Sequence, residues 1–366
     1  MTTISGLIDT GQRLWLEGLA REQATHELLA DDRQRQSIAG LSVTIDACGK
    51  VVQAGTAFDQ LIQEKLKEGL YGGRLAMELL VADARHAADL LLPSFEQSEG
   101  LNGWVAVPSS PLFTTDTTGM VETVLPIDAG HRKANLMVSI AGLPSRLRVI
   151  ESLIASGISI NIELLFSSLH FRAVAETILQ AFESCVVAGR KPLSSCFLTI
   201  PVDRLLAGFS HLFPEKSAVA CVNAVLLEIG EVARNLFETR RWQRIMEMGA
   251  QPPRLVCSFA DSFELCRSSL SLVKEIGAEC SVAARSRDTE LSFAVFNPAI
   301  RDQARICNER QQNVLDRVGA GIDIAVFTDR LQKDAADALL RSWICLLDTI
   351  ARKSAALITA RNVQPE

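Results

Sequence analysis

The 366-residue sequence has no long apolar run and no cluster of charges of one sign. No stretch approaches the roughly 18–20 consecutive apolar residues that a membrane-spanning helix needs. The N-terminal segment MTTISGLIDTGQRLW lacks a basic region followed by an apolar one. The 43 acidic and 37 basic residues give a formal charge of −6, and the basic residues are spread along the chain rather than clustered with aromatic ones. We therefore expect a cytoplasmic protein that binds neither membranes nor nucleic acids.

The sequence also lacks the short motifs that hold metals and nucleotides. Its five histidines show no H-x-x-x-H or H-E-x-x-H spacing, and its nine cysteines contain no C-x-x-C pair. Neither a G-x-G-x-x-G turn nor a G-x-x-x-x-G-K-[ST] loop occurs. We therefore expect no metal site and no cofactor. The odd number and wide spacing of the cysteines indicate buried free thiols rather than disulfides.

What the sequence does contain is a regular alternation of short apolar runs and long amphipathic stretches. The apolar runs predict strands, and the amphipathic stretches predict helices. Seven or eight such units without a separating linker favour a single (β/α)8 TIM barrel domain over residues 1–366, with extra N- and C-terminal helices. An open doubly wound sheet is the alternative. The predicted strands are residues 40–45, 103–107, 136–140, 158–164, 196–202, 255–259 and 280–284, and the main helices 71–92, 171–188, 218–246 and about 333–357, the last packing on the barrel.

Polar residues interrupt two neighbouring apolar strands within residues 135–167. Ser139 lies in the first strand, and Asn161 and Glu163 lie in the second. Because parallel α/β folds gather functional groups at the carboxyl ends of their strands, these residues are candidates for a site. A carboxylate in an apolar strand is costly to bury unless it is paired, hydrogen-bonded or protonated. Glu163 is therefore either an acid/base group or half of a structural ion pair.

Several segments together resemble the transaldolase family, in the same order from about residue 14 to residue 357. The segment GISINIELLFS is similar to the family's GINVNVTLLFS, and NLMVSIAG is similar to NLMIKIPAT. The resemblance implies a (β/α)8 barrel and a place in carbohydrate metabolism, in the pentose phosphate pathway. The other similar segments are LWLEGLAR, which resembles the family's first-strand region and precedes the seven predicted strands, and GLSVTID, GWVAVPSSP, FLTIPVDR and RLVCSF.

The resemblance also implies that the family's chemistry has changed in this chain. Transaldolases form a Schiff base through a lysine in the fourth strand, where this chain has Ser139, and a hydroxyl group cannot form an iminium. The asparagine that contacts the sugar corresponds to Thr44, and the glutamate that helps activate the catalytic water corresponds to Pro108. The threonine that positions this water corresponds to Glu163. The first-strand aspartate, a proton-transfer group, corresponds to Glu17, which keeps a carboxylate.

Positions that bind the ligand in the family are better preserved. Asn161 matches the asparagine that hydrogen-bonds the substrate, Arg204 matches the phosphate-site arginine, and Ser258 matches the serine beside it. Thr199 replaces a serine. The basic residue that the family has just after Ser258 is missing, and Arg285, which follows the eighth predicted strand, is a candidate to replace it because barrels often bind phosphate near strands 7 and 8.

Two alternative functions follow. In the first, the protein is an enzyme, for example of specialised metabolism, in which Glu163 and Glu17 act as acid and base without a lysine. Ser139 is a third candidate, as a nucleophile or hydrogen-bond donor. In the second, the protein is a pseudoenzyme that only binds a ligand or a partner. The enzyme and the ligand-binding form of the second alternative predict a small-molecule ligand such as a sugar phosphate. For either alternative we expect a monomer or homodimer with little ordinary transaldolase activity.

Overall fold

The computed structural model describes most of the chain and contains one closed barrel. The described residues are 14–19, 21, 35–36, 38–112, 134–258, 280–285 and 323–363. Eight strands pair in parallel in chain order, and the last strand closes against the first. The predicted (β/α)8 barrel is therefore confirmed, and the open sheet is excluded. The strands are β1 (Leu14–Gly18), β2 (Ile38–Val43), β3 (Trp104–Pro108), β4 (Leu136–Ala141), β5 (Ile160–Glu163), β6 (Cys196–Pro201), β7 (Arg254–Ser258) and β8 (Cys280–Arg285).

Helices in the described part of the chain cover the outside of this barrel. The predicted helix over residues 218–246 is in fact two helices, because the chain breaks between them at Glu238 and Thr239. The extra N-terminal helices that we predicted lie outside the described residues. The helices are α1 (Ile45–Ala54), α2 (Asp59–Lys67), α3 (Gly72–Gln97), α4 (Leu147–Ala155), α5 (Ser168–Val187), α6 (Val202–Ser210), α7 (Glu215–Phe237), α8 (Arg240–Glu247) and α9 (Ile324–Val363).

Packed aromatic side chains fill the barrel at the amino ends of its strands. The ring centroid of Phe197 lies 5.0 Å from that of Trp15 and 5.8 Å from that of Trp104. The Arg254 guanidinium lies over the Phe197 ring, 4.2 Å from its centroid. Gly40 leaves room for this layer, because a Cβ atom there would lie 2.5 Å from the Trp15 ring. This end of the barrel is therefore a core, and the polar residues collect at the opposite end.

The C-terminal helix α9 runs across several of the outer helices. It contacts α1, α2, α3 and α6. Near its end, the Lys353 Nζ atom donates to the Gly55 carbonyl oxygen and pairs with Asp59 Oδ1, each at 2.8 Å. Over the described residues, no helix combines the length and the apolar composition that crossing a membrane requires.

Candidate functional site

Side chains from β4, β5 and β6 form one hydrogen-bonded cluster near the carboxyl end of the barrel. Ser139 lies opposite Asn161 in the strand register. The Ser139 hydroxyl donates to Glu163 Oε1 at 2.9 Å. Asn161 Nδ2 donates to Ser139 Oγ at 3.0 Å and to Glu163 Oε1 at 3.1 Å. The Thr199 hydroxyl donates to Asn161 Oδ1 at 2.8 Å, which fixes the orientation of the amide.

The cluster is withdrawn from water. Ser139, Asn161 and Thr199 are 4%, 1% and 8% exposed, and Glu163 is half-buried. Burial of its carboxyl group raises the pKa of Glu163, while the hydrogen bond from Ser139 and the charge of Arg204 act in the opposite direction. A carboxyl group with a raised pKa keeps its proton to higher pH and is suited to general acid catalysis.

A second contact joins β7 to β1. The Ser258 hydroxyl donates to Glu17 Oε1 at 2.9 Å. Because β8 lies between these two strands, the side chains meet on the concave, inner side of the barrel. Arg285 is the last residue of β8 and lies opposite Glu17 in the strand register. The placement of its side chain, and with it the predicted phosphate contact, lies outside the described residues.

The remaining predicted site residues lie around these two contacts. Thr44 caps α1, since its hydroxyl oxygen accepts a hydrogen bond from the Ala47 amide at 3.3 Å. Pro108 ends β3, opposite Ser139. Arg204 is exposed in the first turn of α6, and its backbone N–H donates to Asp203 Oδ1 at 2.8 Å. The structure thus gives Thr44 a capping role and leaves the Arg204 side chain open to solvent.

The sequence did not indicate two features next to the cluster. Leu164, directly after Glu163, has a φ of 64°, a left-handed conformation that is rare for a bulky side chain. The side chain of Gln332, in α9, donates to the Leu164 carbonyl oxygen at 2.9 Å. A left-handed leucine and a contact between residues 168 positions apart leave no trace in hydrophobic periodicity.

The cysteines and acidic residues of the described chain form no metal site. No group of three or more His, Cys, Asp or Glu residues within the described ranges is placed to hold a metal ion. Among the described cysteines, Cys345 is exposed and the other free thiols are buried. Burial raises the pKa of the Cys48 thiol to about 12, so this residue is unsuited to nucleophilic chemistry.

Known proteins match the chain over most of its length. The family model described as transaldolase/fructose-6-phosphate aldolase matches residues 46–218. A transaldolase of Parafrankia sp. (strain EAN1pec) is 26% identical over 358 residues, covering 95% of this chain and 96% of that protein. A transaldolase of Thermobifida fusca (strain YX) is 25% identical over 363 residues, covering 96% and 98%. A protein of Streptomyces coelicolor named transaldolase 2 is 23% identical over 352 residues, covering 93% and 94%.

Proposed function

We propose that this chain, a diverged relative of the transaldolases, binds a sugar phosphate or a related polyol or carbonyl compound and acts on it by lysine-independent acid/base chemistry. The observation that carries this proposal is the 2.9 Å hydrogen bond from Ser139 to Glu163. It puts a hydroxyl and a carboxyl group where the resemblance implies an amine, and neither group can form an iminium. Ordinary transaldolase turnover is therefore expected to be close to zero.

Glu163 is the group that we assign to proton transfer. Its raised pKa suits the protonated form to donating a proton to a carbonyl or hydroxyl oxygen of the ligand. After that transfer, the hydrogen bonds from Ser139 and Asn161 stabilise the carboxylate that remains. Glu17, held by Ser258, supplies a second carboxyl group in a different setting, which is the arrangement that lets one carboxyl act as acid and another as base.

Arg204 is the group that we assign to the anionic part of the ligand. It is exposed, and its positive charge acts to lower the pKa of Glu163. A phosphate bound by this guanidinium would therefore bring the rest of a sugar phosphate close to the Glu163 carboxyl. Asn161 in β5 and Thr199 in β6 are hydrogen-bonded to each other beside Glu163, and Arg204 lies in the helix that directly follows β6.

A calorimetric titration tests the ligand, with fructose 6-phosphate, sedoheptulose 7-phosphate and their unphosphorylated sugars as probes. We expect binding of the phosphorylated sugars alone. Arg204→Ala should weaken it about tenfold or more, since a hydrogen bond to a charged group contributes ~1.5–3 kcal/mol. Equal binding by Arg204→Ala would exclude the phosphate site. Arg172→Ala, at an exposed position of α5, is the matched control.

Product analysis of a bound sugar phosphate tests the chemistry. We expect Glu163→Gln to bind the ligand as the unaltered protein does and to lose turnover by about 10²–10⁴-fold, the usual contribution of general acid–base catalysis. A fully active Glu163→Gln variant would exclude the assignment of Glu163.

A non-catalytic, ligand-binding protein is the second candidate. The Thr44 hydroxyl oxygen accepts the capping hydrogen bond of α1 and keeps only its O–H donor for a ligand, and Pro108 has no ionisable group. Two positions that the family uses for its reaction therefore offer little chemistry here. Specific binding without turnover of any bound sugar phosphate would favour this candidate.

A further inference from the structure

Gln332 connects the C-terminal helix to the carboxyl ends of two neighbouring strands. Its side chain is only 5% exposed. Its Nε2 atom donates to the Leu164 carbonyl oxygen at 2.9 Å and to the Gly142 carbonyl oxygen at 3.2 Å. Leu164 directly follows β5, and Gly142 directly follows β4. One buried amide group therefore bridges the two loops that emerge from the strands carrying Ser139 and Glu163.

The Leu164 carbonyl group needs a side-chain hydrogen-bond donor of this kind. The left-handed conformation of Leu164 turns the chain out of the strand, so its buried carbonyl oxygen has no place in the ladder with β6. The Gly142 N–H donates to the Glu163 carbonyl oxygen at 2.8 Å, which ties the two loops together. The space around Gly142 is also tight, because a Cβ atom there would lie 2.7 Å from the Leu165 side chain.

A second contact holds α9 against the same loop. The Phe166 amide donates to His170 Nδ1 at 3.3 Å, so the other ring nitrogen carries the hydrogen. That nitrogen, Nε2, donates to Asp329 Oδ1 at 2.7 Å. Asp329 and Gln332 lie three residues apart and therefore face the same side of the helix. The helix is thus attached to the β5 loop at two points.

We propose that Gln332 is a positioning residue for Glu163: by holding the Leu164 and Gly142 carbonyl groups, it keeps the end of β5 where the Glu163 carboxyl contacts Ser139 and Asn161. This inference rests on the proposed function only for the consequence that Glu163 performs chemistry. The positioning itself is a property of the folded protein. Through this contact the C-terminal helix α9, although distant in sequence, helps to position the residues of the site.

Loss of the Gln332 amide should change the surroundings of the Glu163 carboxyl. The groups that face it are the Ser139 hydroxyl from β4, the Asn161 amide from β5 and the charge of Arg204 from α6. When the end of β5 is released, the carboxyl group becomes more exposed to water, and desolvation is the main cause of its raised pKa. The titration midpoint should therefore move down, towards the ordinary glutamate range.

The test is a ¹³C NMR titration of protein labelled at the glutamate carboxyl carbons, with Glu163→Gln used to assign the resonance. We expect Gln332→Leu, which keeps the size of the side chain, to lower the midpoint of Glu163. Lys353→Met is the matched control, because it removes the contact of the same helix with Gly55 and Asp59 at a site away from β5. It should leave the midpoint unchanged even if it destabilises the protein equally.

An unchanged midpoint in Gln332→Leu, or an equal change in Lys353→Met, would overturn the proposal. If Gln332→Leu does not fold, Gln332→Asn replaces it, since the shorter amide cannot reach both carbonyl groups and should also lower the midpoint. The titration requires no turnover. A Glu163→Gln variant that retains full activity would therefore refute the proposed function and leave the positioning result intact.

Discussion

At the scale of the residue, the Glu163 carboxyl is expected to reduce the stability of the fold. Its pKa is raised in the folded protein, so the folded state holds this proton more tightly than the unfolded state does. The free energy of unfolding should therefore fall as the pH rises through the interval between the unfolded and folded pKa values of Glu163. Such a cost is common where a buried group is kept for function.

The first prediction follows from this cost. Glu163→Gln, which keeps an oxygen to accept from Ser139 and Asn161, should raise the free energy of unfolding at pH 8, and the gain should vanish towards pH 4. Urea unfolding at both pH values measures it. Glu183→Gln is the control with the opposite sign, because the hydrogen bond from Arg241 lowers the pKa of exposed Glu183. The quantity compared is the unfolding free energy of Glu163→Gln minus that of the unaltered protein. A smaller difference at pH 8 than at pH 4 would contradict the account.

The second prediction concerns thiol reactivity. Cys345 is exposed, whereas Cys48 is buried and its pKa is raised to about 12. A thiol-specific reagent such as dithionitrobenzoate at pH 8 should therefore label Cys345 in the folded protein and spare Cys48. Cys345→Ser should remove one labelled equivalent, and Cys48→Ser should remove none. Rapid labelling that disappears in Cys48→Ser would show that this thiol is accessible.

Several site residues could be predicted from the sequence, and others could not. Ser139, Asn161 and Glu163 are visible because each is polar within an apolar strand, and the period-two geometry of a strand places Asn161 and Glu163 on the same face of β5. The hydrogen bond between Ser139 and Glu163 was not predictable, since it depends on strand register and on rotamers. Gln332 was not predictable because its partners are two backbone carbonyl groups in distant loops.

At the scale of the element, the strands were predicted from apolar runs more accurately than the helices were predicted from amphipathic stretches. Seven predicted runs overlap β2 to β8, and β1 lies in the segment whose resemblance suggested a first strand. The short helices α1 and α6 were missed because each begins directly after a strand and continues its apolar run. Val202, for example, was assigned to a strand but is the first residue of α6, where it is buried. Periodicity is ambiguous over such short stretches.

The third prediction tests how tightly the aromatic side chains pack against the backbone between β1 and β2. Gly40→Ala would place a methyl group 2.5 Å from the Trp15 ring. Overpacking of this kind should cost about 1–3 kcal/mol of unfolding free energy. Gly49→Ala, inside α1, is the matched control, because its Cβ atom would meet only Leu346 Cδ1, at 3.9 Å. That variant should be more stable by up to about 1 kcal/mol through helix propensity. Equal effects of the two substitutions on denaturant unfolding would contradict the packing account.

At the scale of the whole molecule, the barrel has two different ends. Aromatic side chains close the amino ends of the strands, and hydrogen-bonded polar side chains occupy the carboxyl ends. In TIM barrels the first arrangement serves stability and the second serves function. The resemblance to the transaldolases, which the sequence segments suggested, is confirmed by relatives that match nearly the full length of the chain. The change of chemistry that we propose therefore concerns a few side chains on the barrel scaffold.

The central claim is that this barrel works without a Schiff base, and borohydride trapping tests it most directly. The protein is incubated with fructose 6-phosphate and sodium borohydride, and its intact mass is measured beside that of a lysine-dependent transaldolase. Borohydride reduces an iminium to a stable amine, so a Schiff base would leave the sugar fragment attached. Because Ser139 offers no amine, we predict an unchanged mass for this protein and an increased mass for the control enzyme. A stoichiometric mass increase that requires the sugar phosphate would show that another lysine carries the family's chemistry, and would contradict the account.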